Sequence, residues 1–160
     1  MIDRRQVGGS TLSGVKAVAV SLDVFPWDES YPVSQDRLQE RVEHTLRDLG
    51  IQVDAVDEDD PNAGQLSVVI FIERLIVGTG IEVYAVVVQV RHEETVCLCR
   101  NESVRRLAET WSTLPEPTVL RILPSDVLEE RVDRILDEEV AKFVKAYRAA
   151  NPQPHAQCSV

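Results

Sequence analysis

The run Val83-Tyr84-Ala85-Val86-Val87-Val88 constrains this chain more than any other stretch, because it is apolar at six successive positions. In a strand, successive side chains point to opposite faces, so a run of this kind is apolar on both sides. Such strands belong in the middle of a sheet, covered above and below. The neighbouring sequence agrees. Gln65–Leu75 alternates, with Leu66, Val68, Ile70 and Ile72 on one face and Val69 and Phe71 on the other. Gly78-Thr79-Gly80 turns that strand into Ile81–Arg91, and Thr95–Cys99 reads as a further strand reached through His92-Glu93-Glu94. Residues 65–100 therefore read as a β-meander of hairpins.

Elements on either side complete the domain. In Val15–Phe25, Val18, Val20, Leu22 and Val24 alternate with smaller or polar residues, predicting a strand. Pro26 and Pro32 then bracket a loop. Ser34–Leu49 is an amphipathic helix, with Ser34 as N-cap, Gly50 as C′ stop and an apolar stripe of Leu38, Val42, Leu46 and Leu49. Ile51–Val56 is a short strand, followed by an acidic turn over 57–62. Glu102–Trp111 fits either a helical face (Val104, Leu107, Ala108, Trp111) or an edge strand, and Pro115, Pro117 and Pro124 mark a loop after it. Ser125–Ala150 is a helix with apolar face Leu128, Val132, Ile135, Leu136, Val140, Phe143 and Tyr147. Acids crowd its start and bases its end, as the helix dipole favours. The expected class is α+β: a largely antiparallel sheet of four to six strands carrying two helices, in the order β-α-β-β-β-β-α. Residues 1–14 read as a flexible leader, 15–150 as a single domain and 151–160 as a flexible tail.

Composition bounds the function. With 160 residues, 44% of them apolar, the chain can fill one core without staples, and three cysteines do not make a disulfide framework. The formal charge of −10, with no basic run longer than Arg4-Arg5 or Arg105-Arg106, argues against nucleic acid and anionic membrane surfaces. No stretch approaches the ~18 apolar residues of a membrane span. Residues 1–14 lack an apolar signal-peptide region, which predicts a cytoplasmic protein, or a periplasmic one if a signal peptide was removed.

Motifs for chemistry are sparse. Phosphate-loop, nucleophile-elbow, His-Glu-x-x-His and Cys-x-x-Cys patterns are all missing. Cys97-x-Cys99 could contribute two thiols to a soft metal site, but two small residues on a core face explain it more simply. The acidic run Asp54, Asp57, Glu58, Asp59 and Asp60 fails the EF-hand spacing and reads as a solvated loop. Cys158 falls in the tail, and the sequon Asn101-Glu102-Ser103 has no secretory context. His44 and His92 could act as acid–base groups, yet the sequence assigns neither a nucleophile nor an orienting carboxylate. No catalytic residue, metal ligand or cofactor is therefore expected. Phe25-Pro26-Trp27-Asp28-Glu29-Ser30-Tyr31-Pro32 is the most unusual segment. Aromatics in a loop suit a contact surface, or else cap the end of the core. Phe25, Trp27 and Tyr31, with Trp111 joining them in an aromatic groove or a capped corner, are the candidate binding residues.

Val96, Leu98, Arg100, Asn101 and Ser103, then Thr110-Trp111-Ser112, resemble a group of uncharacterised bacterial proteins, as does the closing Phe143-x-x-x-Tyr147-x-x-x-Asn151-Pro152. The resemblance spans about 15–152 and implies a strand before the Thr-Trp pair. Members often carry export signals. The strand–helix–strand–strand order is similar to that of the amino-terminal domain of TolB and related envelope-lipoprotein domains, a likeness of fold alone. It implies no activity and no catalytic residues. The expected function is a non-enzymatic binding or assembly module for a protein or small-molecule partner, or for a second copy of itself in a homodimer. The alternatives are a small carboxylate/histidine acid–base enzyme and a metal-binding domain.

Overall fold

A computed structural model describes residues 12–25, 33–54, 63–98, 101–113 and 120–152, with the backbone alone at 63, 96–98 and 101–106. Strand β1 (Ala17–Phe25) leads to helix α1 (Gln35–Asp48), a two-residue strand β2 (Gln52–Val53) and the long strands β3 (Ala63–Val77), β4 (Ile81–Leu98) and β5 (Asn101–Ser112). The short strand β6 (Arg121–Pro124) and a 3-10 turn at Ser125–Val127 precede helix α2 (Leu128–Ala150). The expected α+β class and element order are observed, with one short strand added before the last helix.

The sheet runs β2-β1-β3-β4-β5, with β6 paired to β4. β3, β4, β5 and β6 pair antiparallel, whereas β1 runs parallel to both of its neighbours, so the sheet is mixed. A parallel neighbour needs a crossover, and α1 between β1 and β2 supplies it. β4 is central as expected: β3 lines one edge, and β6 (at Val83–Val86) and β5 (at Arg91–Leu98) share the other. Two local expectations change, and the choice left open for Glu102–Trp111 is decided for a strand. His92-Glu93-Glu94 does not turn the chain; β4 continues through it, and the register slips by one residue of β5 between His92 and Glu93. Glu102–Trp111 belongs to strand β5. The proline-marked stretch before α2 contains β6, which pairs with β4 alone among the described strands, so its Pro124 sits on an edge where a missing N–H is tolerated.

Both helices lie on one face. Leu38, Val42 and Leu46 of α1 and Leu128, Val132, Leu136, Val140 and Phe143 of α2 close over Val18, Leu22, Leu66, Val68, Ile70, Ile72, Val86 and Val90. Ser34 caps α1 by accepting from the Arg37 N–H at 3.4 Å, and Gly50 ends it at φ 78°. Chain from both sides of the domain joins this layer. Leu12 is fully buried, and Asn151 binds both the Gly14 N–H and the Leu12 carbonyl. No described helix is long and apolar enough to cross a membrane.

Candidate functional site

The opposite face of the sheet carries no described helix, although β4 is apolar there too. Among the described residues, eight large hydrophobics are exposed; strand alternation puts six of them on this face, and Leu120, just before β6, lines a depression on it. Phe25 of β1 and Phe71 of β3 are register partners, 47% and 48% exposed, with rings stacked at 5.9 Å. Ile122 of β6 pairs with Ala85, and Leu107 of β5 with Thr95. Val77 and Ile81 pair at the tip of the β3–β4 hairpin, beside the eighth, Ile76. Leu120 completes the set. Phe25, Phe71, Glu73, Ala85, Val87 and Leu120 line an open depression of about 310 Å³ on this face. Single exposed hydrophobics are ordinary, but several on one face, with Phe25, Phe71 and Leu120 around one depression, are a feature of interaction surfaces.

The sequence-predicted residues divide between the two faces. Phe25 is on the helix-free face. Trp27 and Tyr31 lie outside the described residues. Trp111 pairs with His92 on the helix-covered face and packs edge-on to Phe143 at 5.4 Å, so Phe25 and Trp111 do not share one groove. Sequence reasoning missed Phe71, Leu120 and Ile122. Alternation puts Phe71 on the second face of its strand, but no local pattern shows that no described element covers that face.

The two histidines meet different fates. His44 is exposed on α1 with its Nδ1 2.9 Å from the Asp48 carboxylate one turn on. His92 has no exposed surface and stacks on Phe143 at 5.8 Å. Its Nδ1 lies 3.0 Å from Thr110 Oγ1, whose single proton goes to an acceptor-only oxygen, the His92 carbonyl at 3.3 Å or the Glu94 carboxylate. The bond network therefore puts the imidazole proton on Nδ1, donating to Thr110. Nε2 is left without a hydrogen-bond partner, facing Gly64, where an added Cβ would stand 2.0 Å away. Only glycine fits at that point of β3. Burial lowers the His92 pKa to about 4 and raises that of Glu94, against which Thr110 hydrogen bonding works. Glu94 Oε1 is 3.3 Å from Nδ1, close enough for an electrostatic contact but not aligned as an acceptor, and it has no hydrogen-bond partner. A histidine this deeply enclosed is a neutral packing group with no path for a substrate.

Among the described residues, no cluster of three or more His, Cys, Asp or Glu is arranged to hold a metal. The acidic run at Asp57–Asp60 and the thiols of Cys99 and Cys158 lie outside the described residues; Cys97 is described by its backbone alone, opposite Arg105.

No protein-family model and no curated protein matches this chain. Solved structures with a similar course include a minor lipoprotein from Acinetobacter baumannii, at 13% identity and TM-score 0.35, covering 85% of this chain and 93% of that one. A second is a neuraminyllactose-binding hemagglutinin homolog from Helicobacter pylori, at 9% identity and TM-score 0.46, covering 91% and 90%.

Proposed function

We propose that this protein is a non-enzymatic binding module that meets a protein partner with the helix-free face of its sheet. One observation carries the reading: seven of eight exposed large hydrophobics among the described residues fall on that face. A protein partner fits better than a small molecule. Ligand sites are usually enclosing cavities, and the depression beside Phe25 is small and open. A face spread over β1, β3, β4, β5 and β6 suits the ~800 Å² per partner of a typical protein interface. Aromatic anchors such as Phe25 and Phe71 are the usual centres of binding energy. An acid–base enzyme is less well supported, because His92 is sealed and His44 stands in open solvent without an orienting pocket.

Position-specific photo-crosslinking tests this. A photoreactive residue at Ile122 is expected to capture a partner in cells of the source organism, whereas one at exposed Glu40 on α1 captures none. Phe71→Asp should abolish the Ile122 adduct while leaving the melting temperature nearly unchanged, since Phe71 is half exposed. Equal capture from both positions, or an adduct indifferent to Phe71→Asp, would refute the assignment.

A further inference from the structure

We infer that the protein segment docking on the helix-free face carries an apolar anchor with a basic side chain on either side of it. This rests on the function proposed for that face and adds the chemistry of its partner. The anchor's seat is the stacked pair of Phe25 and Phe71, with Val87 and Leu120 beside it around one depression. Two carboxylates flank the pair. Asp23 precedes Phe25 by two residues in β1, so it shares that face, and its register partner is Val69. Glu73 follows Phe71 by two residues in β3, pairs with Ala85 and lines the depression. Both are exposed. The two rungs are four residues of β3 apart, which sets the acids roughly 13 Å from each other along the strands, with the rings between them.

Neither acid has an ion-pair partner among the described residues. Arg91 is the base that the described strand side chains bring to this face. It stands four residues past Val87 in β4, on the side away from Glu73 and roughly 13 Å along the strand from the rings. Beyond it Glu93 and Glu109 oppose each other in register, so acid prevails there as well. An apolar seat flanked by unpaired charges of one sign selects a partner of the other, because complementary charges favour encounter and like charges oppose it. A second copy fits badly on that ground. A two-fold contact between these faces sets each copy's acids against the same acids. An anionic bilayer surface is repelled in the same way. A protein segment with lysine or arginine on each side of an aromatic or aliphatic residue satisfies both the rings and the acids.

Selecting a displayed library of random linear peptides on the full chain, at physiological salt, tests this with a defined probe. Clones that bind wild type but not Phe71→Asp report on this face. Among them, lysine or arginine should be enriched on both sides of an apolar residue. A synthetic peptide of the leading sequence should bind the double variant Asp23→Lys/Glu73→Lys at least about tenfold more weakly than wild type. Against Asp23→Asn/Glu73→Gln the loss should be about threefold. That neutral variant is nearly isosteric and keeps the test decisive if the reversed one fails to fold. Raising the salt to about 1 M, where the screening length is about 3 Å, should weaken wild-type binding by a similar factor. Phe71-dependent peptides that are neutral or acidic, or binding indifferent to both double variants, overturn the inference and leave the proposed function of the face standing. A library without any Phe71-dependent clone also overturns it, and the Ile122 adduct then judges the face separately. A wild-type dimer that Phe71→Asp dissolves seats a second copy on the rings and likewise overturns it.

Discussion

His92 and Gly64 illustrate what one residue can and cannot reveal from sequence. Alternation alone would put His92 on the same face as Val86, Val88 and Val90, and that face is the core. Its partners were not legible. Thr110 reaches it through a register slip in β5, and Gly64 clears space for its ring from a strand paired on the other side. The consequence is acid sensitivity of a definite sign. Folded His92 titrates at about 4, and an unfolded histidine near 6.5. Between those values the unfolded chain binds a proton that the folded one refuses. Stability therefore falls as pH drops from about 6.5 toward 4, by roughly 3 kcal/mol at the end, and the loss levels off below. Glu94 works the other way: its raised folded pKa favours the folded state at low pH and that contribution fades as pH rises. Denaturant melts between pH 7 and 4 measure the sum. His92→Asn keeps an N–H for Thr110 but does not titrate. It should be less stable at pH 7 and clearly flatter over this window; a slope equal to that of wild type would assign the acid sensitivity elsewhere.

At the scale of elements, periodicity located both helices and the core faces of the long strands, because the side chains that repeat at 3.6 or 2 residues are those that meet the core. It did not show which elements are neighbours. Arg37 and Arg41, one turn apart, lie off the apolar stripe of α1, and nothing local names a partner for them. They face Glu129, Asp133 and Asp137, spaced by single turns on α2. Arg37 grips Asp133 with both terminal nitrogens at 2.8 and 2.7 Å, and Arg41 grips Asp137 at 2.9 and 2.6 Å. Hydrogen bonding to Asp133 raises the Arg37 pKa above its ordinary value, so the fork stays charged at any pH of interest. Two-pronged pairs between preformed helices lose less side-chain entropy than single surface contacts. Arg37→Ala should therefore cost about 1 kcal/mol. Arg47→Ala, which breaks a 2.9 Å pair with Glu43 within α1, should cost only about 0.3–0.5 kcal/mol. Chemical denaturation of both variants checks the ranking, and adding Asp133→Ala should show coupling with Arg37 but not with Arg47.

The whole molecule rests on pairings between distant parts of the chain, and these were the least legible. Alternation in β4 announced two apolar faces, and the expectation of cover on both assumed a second layer; the described helices supply one. Parallel pairing of β1 with β3 depends on how α1 folds back, which no local pattern encodes. Closure of the domain beyond β1 and α2 is similar. Residues 1–14 read as a leader from their polarity, yet Leu12 is buried and Asn151 holds the chain on either side of Ser13. The Asn151 amide accepts from the Gly14 N–H at 2.8 Å and donates to the carbonyls of Leu12 at 2.7 Å and Tyr147 at 3.1 Å. Tyr147 adds a hydroxyl bond to the Val15 carbonyl at 2.8 Å. One side chain thus ends α2 and anchors the approach to β1, so its loss should be felt at both. Asn151→Ala leaves the Gly14 N–H and the Leu12 carbonyl unmatched, while the Tyr147 carbonyl keeps the backbone N–H of residue 151, and about 1–3 kcal/mol of stability should go with them. Asn151→Asp keeps the acceptor for Gly14 but turns a carboxylate oxygen toward the Leu12 carbonyl, so it should rescue little. Amide hydrogen exchange gives the sharper readout: Gly14 should lose protection in the alanine variant while the β3–β4 ladder keeps its own, because its pairing runs between those two strands and not to Asn151. Uniform loss across the sheet would mean that the Asn151 contacts and the sheet unfold as one unit.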